Sequence, residues 1–435
     1  MLVKAGLWSR DENLELLRRQ MPTAFPQQTI AEAEAADWLP AGSSARRIWL
    51  RRVYSFAGGK GRHERAVSIR PGLAGFTVGL HFASPALLLR REGLVQQAAA
   101  ERAAALRLPD RLVPLLPEAL TGKAALTEGA LKPCLTLDLR FDRSFRLQSW
   151  RFAICRVRVT CPLSLLEAQA QAARDWGLRK LLGLAQCLRQ QRLAAGAVLL
   201  LKPEVEVRVR NGQVELLRSA PDEPARVLDR ELSILANTLA GRFCAEHRLP
   251  ALYRVEEPCS EVFVVPGQYD PVACYRQERA MPRARLETRP APHHGLGVET
   301  YVPISAPGAR YTDLLMHKQI VDFLTTGQPA WSVDGLNQAL LYTTTARESA
   351  HEIEEASRRY WLLRYLEGKS GAEQEAVVLE RLDNGCLIEL SETGLRAFCP
   401  ARPSASLVAG TRVRIKLTHV SARAELLHLG LAGSP

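Results

Sequence analysis

The last 60 or so residues constrain the fold most, because they consist of short alternating runs separated by turn residues. Five strand candidates follow one another there: EAVVLERL, GCLIELS, GLRAFCP, TRVRIKLTHV and AELLHLGLA. Turns at 383–385, 392–394 and 409–410 break them. Five short strands at this spacing predict a small β-barrel of the OB type, a common platform for single-stranded nucleic acid. A generic small barrel is the alternative, since five strands alone do not define the OB fold.

The rest of the chain mixes strand-like and helix-like segments. Short β-like runs, RRIWLRRVYSF and AGFTVGLHF, flank the glycine-rich segment AGGKGRHERAVS, and residues 133–161 alternate like consecutive antiparallel strands. Helical patterns cover 92–107, 163–195, 225–248 and 335–366. Because these segments interleave without a regular βαβ rhythm, the predicted fold class is α+β.

These patterns predict three regions. Residues 1–45 form a helical lead-in, with one short amphipathic helix from Asn13 to Arg19. Residues 46–367 form the main domain, and residues 368–435 form the barrel.

The charge of the chain favours a polyanionic partner. Lysine and arginine number 58 against 46 acidic residues, which gives a net charge of +12. The nine cysteines include no Cys-x-x-Cys pair, so we expect reduced thiols and no zinc site. No apolar run approaches the ~18 residues of a membrane span, and the N-terminus carries charges where a signal peptide would be apolar. We therefore expect a cytoplasmic protein, or one of an organelle matrix or stroma, without a membrane partner.

Two ordered signatures point to a family. The first is VGLHFASP (78–85) followed by LRLPDRLVPLLPEAL (106–120), and the second is HHGLGVETYVPISAPGARYTDLLMHKQI (293–320). They resemble the "VGVHIAD", "YLPDRVIPMLPE" and "HAGLGL…Y…TSPLRRYxDLxxHR" motifs of the ribonuclease II/R family, the RNB-domain exonucleases that digest RNA from its 3′ end. Order and spacing agree from about residue 46 to the end of the chain. The resemblance implies an RNB exoribonuclease-type domain, single-stranded RNA as partner and a C-terminal OB domain.

The resemblance also shows where this chain departs from active members. Those members carry aspartates in a "D-x-x-x-x-x-D-x-D-D-A-L" run, which holds divalent metal ions through hard oxygen ligands. The matching stretch, residues 54–69, contains no aspartate. If Ala66 takes the place of the family's alanine, Glu64 and Arg65 replace the terminal acidic pair and Arg62 replaces an earlier aspartate. Between Lys60 and Arg70 the charges sum to +3, which would repel a dication but suit a phosphate backbone.

The second signature is changed as well. Ala309 replaces one arginine of the family's pair, which neighbours the scissile phosphate in active members, while Arg310 remains. Ser84 replaces the aspartate that ends "VGVHIAD". An ordinary surface arginine paired with Asp313 is the alternative for Arg310, and a core position is the alternative for Tyr311.

The candidate site residues are therefore few. Glu64 and Arg310 are the remnants of a catalytic site, and no residue is assigned to a metal. The candidate RNA-binding residues are Lys60, Arg62, Arg65, Arg310 and Tyr311.

Other polar residues are expected to have structural roles. His317 lies at helical spacing among apolar residues, so we expect a hydrogen-bonded histidine rather than a base. Glu231 and Asn237 are expected to brace a helix. His293 and His294, adjacent on a loop, lack a third metal ligand. Asp138 and Asp142 are expected at the surface or in a turn.

The first functional hypothesis is an RNA-binding protein with the exonuclease fold, no cofactor and no turnover. The second is a divergent 3′-to-5′ exoribonuclease that uses Glu64 and other carboxylates to hold Mg²⁺ in an altered arrangement. The third is a scaffold subunit of a larger ribonucleoprotein or protein complex. Salt-sensitive RNA affinity would favour the first two hypotheses over the third.

Overall fold

The computed structural model describes residues 3–38, 48–49, 52–56, 63–401 and 407–432. Within these residues the helices are α1 (Leu14–Arg18), α2 (Gln27–Ala35), α3 (Leu94–Arg102), α4 (Glu118–Ala124), α5 (Leu165–Gln171), α6 (Trp176–Ala194), α7 (Pro224–Glu246), α8 (Pro271–Ala280), α9 (Tyr311–Thr326) and α10 (Val333–Glu367).

The described strands of the main domain are β1 (Ile48–Trp49), β2 (Val53–Ser55), β3 (Arg65–Pro71), β4 (Gly75–Ala83), β5 (Leu106–Arg107), β6 (Leu112–Val113), β7 (Lys132–Asp142), β8 (Leu147–Val157), β9 (Cys161–Pro162), β10 (Glu204–Arg210), β11 (Gln213–Ser219), β12 (Tyr253–Val255) and β13 (Arg285–Glu287). The C-terminal strands are β14 (Glu373–Leu382), β15 (Gly385–Leu390), β16 (Arg396–Pro400), β17 (Arg412–Ser421) and β18 (Leu426–Leu431).

A seven-stranded sheet forms the centre of the main domain, in the order β1-β8-β7-β4-β3-β2-β9. The inner pairs are antiparallel, and β1 and β9 pair in parallel at the edges. The register aligns Val67, Leu80, Leu137 and Phe152 across four strands. Because side chains alternate along a strand, this row gives one face of the sheet an apolar surface. It packs in the main hydrophobic core together with residues of α6, α7 and α9.

The C-terminal strands form a second, smaller core. They pair antiparallel in the order β16-β15-β14-β17-β18, and β16 lies beside β18, so the barrel is nearly closed. Its interior is continuous with the end of α10, where Leu362, Leu363 and Leu366 are fully buried. These observations confirm the predicted α+β class and the five-stranded barrel.

Several predicted elements have different bounds in the structure. The helix predicted over 163–195 is divided into α5 and α6, because the carboxylate of Asp175 caps α6 by accepting from the backbone N–H groups of Gly177 and Leu178. The helix predicted over 92–107 ends at Arg102, where Ala103 has a φ of 57°. The lead-in forms α1 and α2, with Asn13 as the cap of α1. The hairpin β10–β11 was not predicted.

None of the helices in the described part of the chain combines the length and the apolar character needed to cross a bilayer.

Replacement of Leu363 by alanine tests the junction between α10 and the barrel. We expect the free energy of unfolding to fall by about 2–5 kcal/mol, because the buried side chain leaves a cavity. Chemical denaturation measures the change. The control is Leu341→Ala on the same helix, whose side chain is 79% exposed, with an expected effect below about 0.5 kcal/mol. Equal effects of the two changes would contradict this packing.

Candidate nucleic-acid interface

A cavity of about 380 Å³ lies where β3 begins, β4 ends and α7 crosses the sheet. It combines an apolar wall with polar side chains, as ligand sites commonly do. The polar and charged side chains that line it include Glu64, Arg65, Arg107, Asp229 and Ser233. Two cations and two carboxylates are therefore present, and their pairing decides what the cavity can bind.

Arg65 is fixed to helix α7 from the first position of β3. Its guanidinium donates to Oδ2 of Asp229 at 2.8 Å and to the hydroxyl of Ser233. Asp229 and Ser233 are four residues apart and so lie on one face of the helix. Because both partners are about 40% exposed, the ion pair adds little to stability. The ion pair matters for position, because it holds the guanidinium of Arg65 at the cavity.

Glu64 precedes Arg65 and faces the loop before α9. Its side chain is exposed, and its backbone carbonyl accepts a hydrogen bond from the N–H of Ala83 at the end of β4. A Cβ atom on Gly308 would lie 3.1 Å from Oε1 of Glu64. The structure therefore brings together the two remnants named from the sequence, Glu64 and the loop that ends at Arg310.

Arg310 is the N-cap residue of α9 and is partly exposed. Its guanidinium donates to Oδ1 of Asp313 at 2.8 Å and to the hydroxyl of Ser305 at 3.2 Å. Burial opposes the charge, but Asp313 and, more weakly, Glu64 favour it, so the pKa of Arg310 is raised. With 43% of the side chain exposed, Arg310 is both the partner of Asp313 and accessible to an anion.

Two buried polar contacts hold the surrounding loops. Asn237 on α7 donates to the hydroxyl of Tyr301 at 2.7 Å and accepts from the N–H of Ile304 at 2.9 Å. Glu231, also on α7, accepts two hydrogen bonds from Arg192 of α6, at 2.8 and 2.6 Å. Both residues brace α7 against its neighbours, as the sequence analysis expected.

Tyr311 and His317 lie inside the main domain. Tyr311 is 5% exposed and belongs to the main core, so its ring offers no surface to an RNA base and its assignment as an RNA-binding residue is not supported. His317 is fully buried, 3.5 Å from the hydroxyl of Ser84, and burial lowers its pKa to about 3. A neutral buried histidine does not act as a base at the surface.

Lys60 and Arg62, the other two candidate RNA-binding residues, lie outside the described residues. Asp138 is buried within β7, so the expectation of a surface or turn position is wrong for it, whereas Asp142 lies at a turn and accepts from the backbone N–H groups of Ser144 and Arg146. Neither aspartate lines the cavity.

The histidine pair on the loop has other contacts. Nδ1 of His293 lies 3.3 Å from Oε2 of Glu256, and both side chains are buried. Burial lowers the pKa of His293 to about 4 and raises the pKa of Glu256. Glu299 pairs with Arg242 at 3.3 Å. Among the described residues, no three or more His, Cys, Asp or Glu side chains form a group that could hold a metal ion.

The sequence analysis missed Asp229 and Ser233 as parts of the site. Their spacing of four residues on a predicted helix was a usable signal, but their partner Arg65 lies more than 160 positions earlier. Arg107, which also lines the cavity, lies in the segment 106–120 but was not among the candidate site residues.

The two sequence signatures lie within a region that matches a known protein family. The sequence profile of the RNB domain matches residues 57–264 and 269–326. The chain belongs to the RNB-domain family. This confirms the resemblance drawn from the two signatures, since the match covers more than half of the chain.

Proteins similar in sequence to this RNB protein include ribonucleases, and solved structures with a similar fold include a pseudonuclease. It is 27% identical to an uncharacterised ribonuclease of Synechocystis over 96% of this chain, and spans 65% of that relative's length. Its fold is similar to that of Mycoplasma genitalium RNase R solved with ribose-methylated single-stranded RNA, with a TM-score of 0.82, 14% identity and coverage of 96% of this chain and 77% of the other. It also resembles yeast Ssd1, described as a pseudonuclease, with a TM-score of 0.69, 16% identity and coverage of 84% and 52%.

The stability of the RNB protein should depend on pH through its buried histidines. The pKa values of His81, His317 and His293 are lowered to about 3, 3 and 4 by burial. The unfolded chain protonates these residues below about pH 6.5, whereas the folded chain does not until near their lowered values. We therefore expect the free energy of unfolding to fall as the pH is lowered from 7 to 5.

Urea denaturation at pH 7, 6 and 5 measures this dependence. His293→Gln should reduce the slope, and His351→Gln, at an exposed position of α10, should leave it unchanged. A free energy of unfolding that stays constant from pH 7 to pH 5 would contradict the expectation.

Proposed function

We propose that this RNB protein binds single-stranded RNA without cutting it. The observation that carries the proposal is the position of Arg65. In the alignment drawn from the sequence, Arg65 stands where active members have an acidic residue that holds metal. Its guanidinium is held beside the cavity by Asp229 and Ser233. Because Arg65 offsets the charge of Asp229, this position offers no surplus negative charge to a dication, and its guanidinium can bind a phosphate.

The side chains at the cavity do not fit the divalent metal ions that active members use. Such ions need several oxygen ligands at one point. Here Asp229 is paired with Arg65, and Glu64 lies close to the loop of Arg310. The undescribed stretches of the sequence contain no Asp, Glu, His or Cys, so they hold no side chain that could complete a metal site.

The relatives support RNA as the ligand. Mycoplasma genitalium RNase R, whose fold this chain shares, has been solved with single-stranded and with double-stranded RNA. Yeast Ssd1 shows that the fold also occurs in a pseudonuclease. The net charge of +12 suits a polyanion. A cytoplasmic or organellar location and a larger ribonucleoprotein partner stay predictions.

A divergent metal-dependent exoribonuclease is the second candidate, and one observation favours it. Glu64 and Asp229 both line the cavity, so two carboxylates face one space. A metal ion would have to displace Arg65 from Asp229, and the remaining ligand set would be small. The first candidate needs no such rearrangement.

A paired assay on one 5′-labelled RNA with a single-stranded 3′ end tests the proposal. We expect binding in EDTA that weakens steeply with salt, and no shortening of the RNA in Mg²⁺ or Mn²⁺. Arg65→Gln should weaken binding and lower the salt slope by about one, because one phosphate contact is lost. Arg289→Gln, at an exposed position away from the cavity lining, is the matched control.

Two outcomes would contradict the proposal. Processive shortening that Glu64→Ala abolishes would establish a rebuilt nuclease site. Absence of salt-sensitive binding would exclude RNA as the ligand.

A further inference from the structure

The hairpin of β7 and β8 carries much of the positive charge of the chain. Residues 132–160 hold seven lysines and arginines against two aspartates, so this stretch contributes +5 of the net +12. Both aspartates have local contacts: Asp138 is buried, 3.5 Å from Arg151, and Asp142 caps the hairpin turn. Cationic side chains therefore outnumber carboxylates along this hairpin.

The register of the sheet places arginines in one row. Arg70, Thr77, Arg140 and Ser149 lie opposite one another on β3, β4, β7 and β8. Since neighbouring strands are ~4.8 Å apart, the Cα atoms of Arg70 and Arg140 are roughly 10 Å apart. Two further arginines follow in the turn after β7.

Three of these arginines are available to a ligand. Arg140, Arg143 and Arg146 are exposed, and none of them forms an ion pair with a carboxylate within the described residues. Arg143 donates to the backbone carbonyl of Leu73 at 3.3 Å, which joins the turn after β7 to the turn between β3 and β4. We call Arg70, Arg140, Arg143, Arg146 and Arg151 the hairpin arginine surface.

This surface is separate from the cavity. Arg65 lies at the first residue of β3 and Arg70 lies five residues further along the same strand. At ~3.4 Å per residue the two Cα atoms are about 17 Å apart, and because five is an odd number of residues the two side chains point to opposite faces of the sheet. The lining of the cavity includes none of the five arginines. A ligand that reaches both sites must therefore be a chain of several nucleotides.

We propose that the hairpin arginine surface binds the phosphate backbone of RNA outside the cavity, so that longer RNAs contact both sites at once. Guanidinium groups bind phosphate through paired hydrogen bonds, and several phosphates add affinity through release of counterions. An anionic membrane is the competing occupant, because Leu73 is fully exposed beside the arginines. A single leucine gives little apolar burial in a bilayer compared with an amphipathic helix, so the charge pattern favours RNA.

The inference rests on the proposed function, because it takes RNA as the ligand. The experiment distinguishes failure of this inference from failure of the proposed function. The probes are an RNA of about 4 nucleotides, too short to reach both sites, and one of about 40, titrated against the full chain across a salt series. The variant combines Arg140→Gln, Arg143→Gln and Arg146→Gln. The matched control combines Arg276→Gln, Arg283→Gln and Arg289→Gln, three exposed arginines elsewhere with the same change in charge.

We expect the hairpin variant to bind the long RNA at least tenfold more weakly at low salt, with a salt slope lower by about two to three. Its affinity for the short RNA should match that of the unaltered protein, which also shows that the fold is intact. The control should bind the long RNA more tightly than the hairpin variant does.

Three results would overturn the inference. The first is unchanged affinity of the hairpin variant for the long RNA, which leaves the proposed function intact. The second is an equal loss for both RNAs or an equal loss in the control, which would indicate a general charge effect. The third is that the unaltered protein binds vesicles of phosphatidylserine and phosphatidylcholine, while the hairpin variant loses this binding and retains its affinity for RNA. That result would assign the surface to a membrane.

Discussion

Helix α7 holds the candidate site together, because polar side chains on it contact three separate parts of the chain. Glu231 forms a buried ion pair with Arg192 of α6, and Asn237 fixes the loop at 301–305. Asp229 and Ser233 hold Arg65 at the start of β3. Removing one partner of a buried pair such as Glu231 costs about 3–5 kcal/mol, so α7 has little freedom to shift. The position of Arg65 follows from that rigidity.

The consequence for function is that the guanidinium of Arg65 offsets the negative charge of Asp229 at the cavity. In the alignment drawn from the sequence, Arg65 stands where active members have a carboxylate, and Asp229 holds its guanidinium in place. We propose that this substitution disfavours a metal ion and favours a phosphate group. Retention of Arg310 beside Glu64 keeps a second guanidinium near the cavity. Binding of RNA without turnover needs no metal ligands beyond the side chains already at the cavity.

Local patterns predicted much of the fold, whereas contacts between distant residues decided the site. The barrel strands were readable because alternation and turn residues are local signals. The hairpin β10–β11 also carries such a signal, Asn211-Gly212 between alternating runs, and was overlooked. Tyr311 was a candidate for RNA with a core position as the alternative, and tertiary packing places it in the core. The pairing of Arg65 with Asp229 joins residues 164 positions apart and has no local signature.

Direct titration of Mn²⁺ into the full chain, followed by calorimetry with and without a short RNA, tests the central claim most directly. We expect no saturable uptake at the cavity, and no difference between the unaltered protein and Glu64→Ala. Stoichiometric binding of Mn²⁺ that Glu64→Ala or Asp229→Asn abolishes would contradict it, because it would show that the carboxylates at the cavity hold a metal despite Arg65.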